Sequence, residues 1–134
     1  MSIHIETEKA GEPKLLLHFD TGNVWPIESQ EGAPKNPGAH ELFDASLAAC
    51  KALTAHWYAK QRNFPLERVS VEITRDDSHE RDKENPWYGL TLKFRFEGPL
   101  TREQKQRLYD VLDRCPVHKL MTTTEVRITA LPLE

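Results

Sequence analysis

A chain of 134 residues with 29% charged side chains, a net charge of -3, a pI near 6.1 and a mean hydropathy of -0.64 has the make-up of one domain, residues 1–134, that can bury a core without disulfide or metal staples. No apolar run nears the ~20 residues of a membrane span, and the scattered Lys and Arg of a mildly acidic chain give no electrostatic footprint for nucleic acid. The first residues lack the basic and then apolar segments of a signal peptide, so the expected location is cytoplasmic, where thiols stay reduced.

Residues 2–7 alternate, with Ile3 and Ile5 against His4 and Glu6, and predict a strand. After a turn at Gly11-Glu12-Pro13, residues Lys14 to Phe19 predict a second strand, and Val24 to Ile27 a short third that Pro26 keeps at an edge. A Gly/Pro-rich loop from Glu31 to Gly38 leads into a helix from His40 to about Gln61, free of Gly and Pro and rich in Ala and Leu. Gly38 suits its N-cap, and Glu41 suits the positive end of the dipole. The stripe Leu42, Ser46, Ala49, Cys50, Leu53 and Trp57 predicts the buried face, with Lys51, Lys60, Gln61 and Arg62 on a wetter side or at the C-terminal end. The small apolar section around Ala48-Ala49-Cys50 predicts a central helix covered on more than one face.

Leu66 to Thr74 and Tyr88 to Glu97 alternate as a hairpin around a charged loop. Thr101-Arg102-Glu103-Gln104 is a capping box for a helix with the stripe Leu108, Val111, Leu112 and Cys115. Pro116 suits the first turn of a short helix from Val117 to Met121. Thr124 to Ala130 alternates as a last strand. Strands segregate from helices and hairpins dominate, so the expected class is α+β with antiparallel sheet.

The chemistry rests on two cysteines. Two thiols in a reducing compartment point to buried, catalytic or metal-binding roles rather than a permanent bridge. Taken locally, Cys50 reads as a small buried residue on a crowded helix, or as a nucleophile. Cys115 reads as a continuation of the Leu108–Leu112 stripe, or as a second thiol able to react with the first. Cys115-x-x-His118 is half of a zinc pattern that His40 or His56 would have to complete, and no metal is assigned on two ligands. Phosphate loops, nucleophile elbows and flavin or nicotinamide fingerprints are missing.

The run Gly38-Ala39-His40-Glu41-Leu42-Phe43, then Ala48-Ala49-Cys50 inside a long helix, then two strands and an amphipathic helix ending in Cys115-Pro116-Val117-His118, resembles the OsmC/Ohr family. These are the osmotically induced and organic-hydroperoxide-resistance proteins, and the resemblance runs from about residue 30 to the end. It implies an OsmC-like α+β fold and an intertwined homodimer with the Cys50 helix at its centre and two active sites between subunits. It implies a thiol-dependent peroxidase in which Cys50 attacks a hydroperoxide and becomes a sulfenic acid. Cys115 then resolves it to a disulfide, and an external dithiol of lipoyl or thioredoxin type recycles the enzyme. No cofactor is needed, because sulfur carries the oxidation.

Peroxidase members of the family pair an upstream Arg with a carboxylate near the helix start to hold the thiolate. This chain has no Arg before Arg62. The upstream groups of suitable type are Lys35, His40 and Glu41, with Arg114 or Arg127 as alternatives from later segments. Lys lacks the Arg fork, and His40 acting as a cation would lose activity as pH rises through about 6.5. His40 and Glu41 equally suit ordinary helix-start chemistry. The aromatic residues Trp25, Phe43 and Trp57, with Phe64, are either core or the walls of a pocket for an apolar peroxide tail. A competing class keeps the fold as a small-molecule-binding or redox-sensing homodimer without peroxidase turnover.

Overall fold

The computed structural model describes residues 1–134. In chain order it contains β1 (Ile3–Thr7), β2 (Leu15–Phe19), β3 (Val24–Ile27), α1 (Ala39–Arg62), β4 (Arg68–Asp76), β5 (Gly89–Glu97), α2 (Arg102–Val111), a 3-10 turn (Leu112–Arg114) and α3 (Pro116–Thr122). All strand pairs are antiparallel, as an α+β chain of hairpins requires. The elements divide into two compact units, Met1–Asp44 and Ala45–Glu134, with the boundary inside α1.

The first unit is a sheet in the order β1-β2-β3. Leu17 lies opposite Ile5 and Trp25, and Leu17 and Ile27 are its buried apolar residues. Pro26 sits on the edge strand, where its missing N–H costs no ladder bond. The loop after β3 folds around Glu28, whose carboxylate accepts from the Asn36 side-chain amide at 3.0 Å and the Lys35 N–H at 3.3 Å. The Asn36 bond above all holds this carboxylate below its usual ionisation range. The loop ends on Gly38, where any Cβ would come within 2.9 Å of the Glu28 carbonyl, so only glycine fits.

The second unit pairs β4 with β5, placing Val69 opposite Phe96, Val71 opposite Phe94 and Ile73 opposite Leu92. Period-two alternation puts these residues on one face. Val69, Phe94 and Phe96 pack on a buried cluster of Ala55, Tyr58 and Ala59 from α1 with Leu108, Val111 and Leu112. The capping box of α2 forms as its sequence predicts: the Gln104 N–H donates to Thr101 Oγ1 at 3.1 Å, and the Thr101 N–H to Gln104 Oε1 at 3.0 Å. Tyr58 keeps its polar tip satisfied by accepting from Arg107 Nε at 3.4 Å.

Two expectations are corrected. The face of α1 that this chain covers carries Leu47, Lys51, Ala55, Tyr58 and Ala59, and Lys51 is only 4% exposed. The expected stripe is turned outward: Leu53 is 69% and Trp57 59% exposed, Ser46 and Ala49 are exposed, and Leu42 and Cys50 are half-buried. The helix carries two apolar stripes, and periodicity cannot say which one meets the same chain. The second correction is the last strand. Thr124 to Ala130 forms no strand, and Val126 and Ile128 are exposed, because no strand of this chain pairs with it.

Leu108 touches both α1 and the hairpin face and is fully buried. Leu108→Ala is therefore expected to lower the unfolding free energy by about 2–5 kcal/mol in urea melts, and Thr101→Ala by about 1 kcal/mol through loss of the cap. A Leu108→Ala melt that overlays the wild type would place the core elsewhere.

Candidate functional site

Cys50 sits on the fourth turn of α1 and is half-buried. Its carbonyl accepts a second bond from Thr54 Oγ1 at 2.8 Å, one turn on. Cys115 is fully buried and stands between the 3-10 turn and α3. Pro116 is the reason for its conformation. A residue before proline is driven out of the helical region, and Cys115 has φ -57° and ψ 123°. The helical path therefore stops at Cys115 and restarts at Pro116. The Cys115 N–H closes the 3-10 turn on the Leu112 carbonyl at 3.2 Å.

The two thiols are neighbours. Burial raises the ionisation of Cys115 above its ordinary range, and the neighbouring Cys50 side chain raises it further by hydrogen bonding and by charge. The amides of His118 and Val117 oppose that shift. Both cysteines are free.

Directly beside Cys50 in sequence is the residue that sequence reasoning missed. Lys51 Nζ donates to the Leu112 carbonyl at 3.1 Å and lies 3.1 Å from His118 Nδ1. An ammonium has donors only, so Nδ1 must accept and the ring proton sits on Nε2. The signal in the sequence was a lone cation inside the apolar run Ala48-Ala49-Cys50-Lys51-Ala52-Leu53. Assigning it to a wetter face overlooked that a buried lysine is tolerated when acceptors satisfy it.

Lys35, His40 and Glu41 lie in the first unit. Lys35 and His40 are exposed. Glu41 Oε1 accepts the Gly38 N–H at 3.0 Å, the reciprocal half of a capping box on α1. Helix-start chemistry thus occupies one of its oxygens. Arg127 is exposed and paired with Glu125, and Arg114 is exposed. Trp25 is half exposed and packs edge-on against Phe19, with ring centroids 4.8 Å apart. Phe43 and Trp57 are exposed on α1. Phe64 belongs to the core beside Tyr58. No group of three or more His, Cys, Asp or Glu side chains is arranged to hold a metal ion, and His118 Nδ1 already faces Lys51.

A family model described as OsmC-like protein matches residues 32–130. No curated protein matches the chain. Among solved structures, an OsmC-like protein from Mycoplasma pneumoniae superposes with a TM-score of 0.75 at 16% identity, covering 91% of this chain and 86% of its own. The organic hydroperoxide resistance protein OhrB of Bacillus subtilis superposes with a TM-score of 0.62 at 20% identity, covering 92% of each chain. An organic hydroperoxide resistance protein OsmC from Legionella pneumophila, also described as a predicted redox protein, gives 0.64 at 17% identity, with 92% and 90% covered. At such identities these structures establish the fold.

The raised ionisation of Cys115 has a consequence for stability with a definite sign. Folding favours its protonated form, so this contribution is fully present below the ordinary thiol value of 9.0 and is lost as pH rises beyond it. Urea midpoints of the wild type are expected to fall more steeply above pH 9 than those of Cys115→Ala. Iodoacetamide near neutral pH is expected to label Cys50 well before Cys115. Equal labelling of the two in the native protein would contradict the burial difference.

Proposed function

This chain belongs to the OsmC family, and on that premise we propose that it is a thiol-dependent peroxidase that reduces organic hydroperoxides. The observation that carries the reading is the pair of neighbouring thiols with unequal access: Cys50 is half-buried and Cys115 fully buried. Cys50 as thiolate attacks the terminal oxygen of the O–O bond. The bond breaks, the alkoxide takes a proton and leaves as the alcohol, and Cys50 becomes a sulfenic acid. Cys115 attacks that sulfur, water departs and a disulfide forms. An external dithiol then reduces the disulfide through a mixed intermediate and returns both thiols.

The same reading includes a homodimer. The outward stripe of α1, with Ser46, Ala49, Leu53 and Trp57, supports a second copy as its cover, since large exposed apolar residues at helical spacing mark an interface. The unpaired alternation of Thr124–Ala130 supports the same partner. Trp57, exposed in one copy, is assigned to that interface. The function that competes is a redox-sensing or small-molecule-binding homodimer. It is favoured by one observation: Lys35 and His40, the upstream cations expected to serve the thiolate, are exposed.

With one equivalent of cumene hydroperoxide, the reduced wild type is expected to lose both thiols quickly, and with excess dithiothreitol it turns over repeatedly. Cys50→Ser consumes no peroxide, whereas Cys115→Ser reacts once and advances to higher oxidation states. Wild-type thiols that survive the peroxide for minutes end the peroxidase proposal, and loss of both thiols without recycling selects the sensor. Sedimentation is expected to show a wild-type dimer and a Leu53→Glu monomer, and a monomeric wild type removes the dimer.

A further inference from the structure

Lys51 is a buried cation that the peroxide chemistry above does not use. Its ammonium reaches across from α1 to the segment that carries Cys115, and it does so twice. The Leu112 carbonyl it binds at 3.1 Å is the carbonyl that accepts the Cys115 N–H at 3.2 Å. His118 Nδ1, its second partner, lies on the first turn of α3 after Cys115. The two contacts therefore bracket Cys115 on both sides, one before it and one after it. Because Lys51 follows Cys50 directly on a rigid helix, the same residue ties the position of the Cys115 backbone to that of Cys50. Leu112 and Cys115 anchor this segment by burial before Pro116, whereas the residues after Cys115 have little besides Lys51 to fix them. The 3-10 turn spans only Leu112–Arg114 and α3 only Pro116–Thr122, with no buried residue in α3.

We propose that Lys51, with His118 as its acceptor, is a positioning residue for disulfide closure, holding the Cys115 turn against Cys50 while the sulfur–sulfur bond forms. Its hydrogen bonds go to the Leu112 carbonyl and the His118 ring. Its effect falls on the second thiol step and leaves the first alone. The proposal concerns closure of the Cys50–Cys115 pair. It deepens the peroxidase reading as its resolving step, but can be tested without peroxide.

The probe is the aromatic disulfide DTNB, which releases a coloured thiolate at each step. Cys50 thiolate displaces one thionitrobenzoate and is left as a mixed disulfide. Cys115, losing its proton to solvent, then attacks the Cys50 sulfur, closes the Cys50–Cys115 disulfide and expels the second thionitrobenzoate. In wild type two equivalents are expected, the second following from the first without bimolecular dependence. Lys51→Met is expected to leave the first release within about twofold of wild type and to slow the second at least about tenfold, the rate equivalent of one charge-assisted hydrogen bond. Lys51→Arg, which still donates to both acceptors, restores much of the second rate. His118→Asn keeps an acceptor near the Nδ1 position and closes as wild type, whereas His118→Leu closes slowly. This second pair, altered on a half-exposed helix, decides the matter if Lys51→Met does not fold. A second release at wild-type rate in Lys51→Met or His118→Leu, equal slowing of both releases, or a single release in wild type overturns the proposal. If the DTNB pattern holds and cumene hydroperoxide is not reduced, the peroxidase reading falls and the positioning role stands.

Discussion

The thiol pair depends on one packing contact, that of Ala55, Tyr58 and Ala59 on α1 with Leu108, Val111 and Leu112. Cys50 lies one helical turn before Ala55's neighbours and Cys115 lies one turn after Val111 and Leu112, so both sulfurs extend the same interface. Seating Leu108, at 0% exposure, against α1 fixes where the end of α2 must go. Dense packing leaves few alternative positions for that end. Pro116 then breaks the path and Cys115 stops next to Cys50. The hairpin contributes from the other side, since Phe94 and Phe96 close the cluster. The redox geometry is thus an outcome of hydrophobic registration rather than of any contact between the sulfurs themselves.

Placing a lysine in that registered interface has an electrostatic logic. A buried ammonium is tolerated only when acceptors replace its lost water. The Leu112 carbonyl, just past the end of α2, takes one N–H from Cys115 and keeps a second lone pair for Lys51. His118 Nδ1 supplies another. The same chain end that offers the Leu112 carbonyl also carries Cys115. A single cation therefore gives that carbonyl its second donor and, in the role proposed for it, restrains the Cys115 segment.

How far the sequence revealed this depended on the range of the interaction. Local signals were legible: the capping box at Thr101 and Gln104, the edge position of Pro26, the proline restart at Pro116 and the alternation of β4 and β5 all follow from neighbours a few residues apart. Buried faces were less so. Helical periodicity found an apolar stripe on α1, but it found the one this chain leaves outward, because Lys51 counted as a solvent residue and thereby hid the covered face. The C-terminal alternation was read as a strand because Val126 and Ile128 suit one, yet strand formation is decided by a partner that local sequence does not contain. The cysteine pair was legible as two motifs in a known order. Its flanking lysine was not, since its role depends on a backbone carbonyl, which has no identity in the sequence.

The unequal burial of the two sulfurs also bears on the order of their chemistry. A thiol reacts in proportion to its thiolate content and its access. Burial and the Cys50 neighbour both act to keep Cys115 protonated, and no solvent path is needed for it to meet Cys50. In the proposed peroxidase cycle it is thereby shielded from direct oxidation while Cys50, half-buried on α1, meets incoming oxidant first. Once Cys50 carries an electrophilic sulfur it no longer bears the negative charge that disfavours a second thiolate beside it. That repulsive contribution to the Cys115 ionisation disappears at the moment when Cys115 must ionise to attack. In that proposed cycle, oxidation of the first thiol prepares the second.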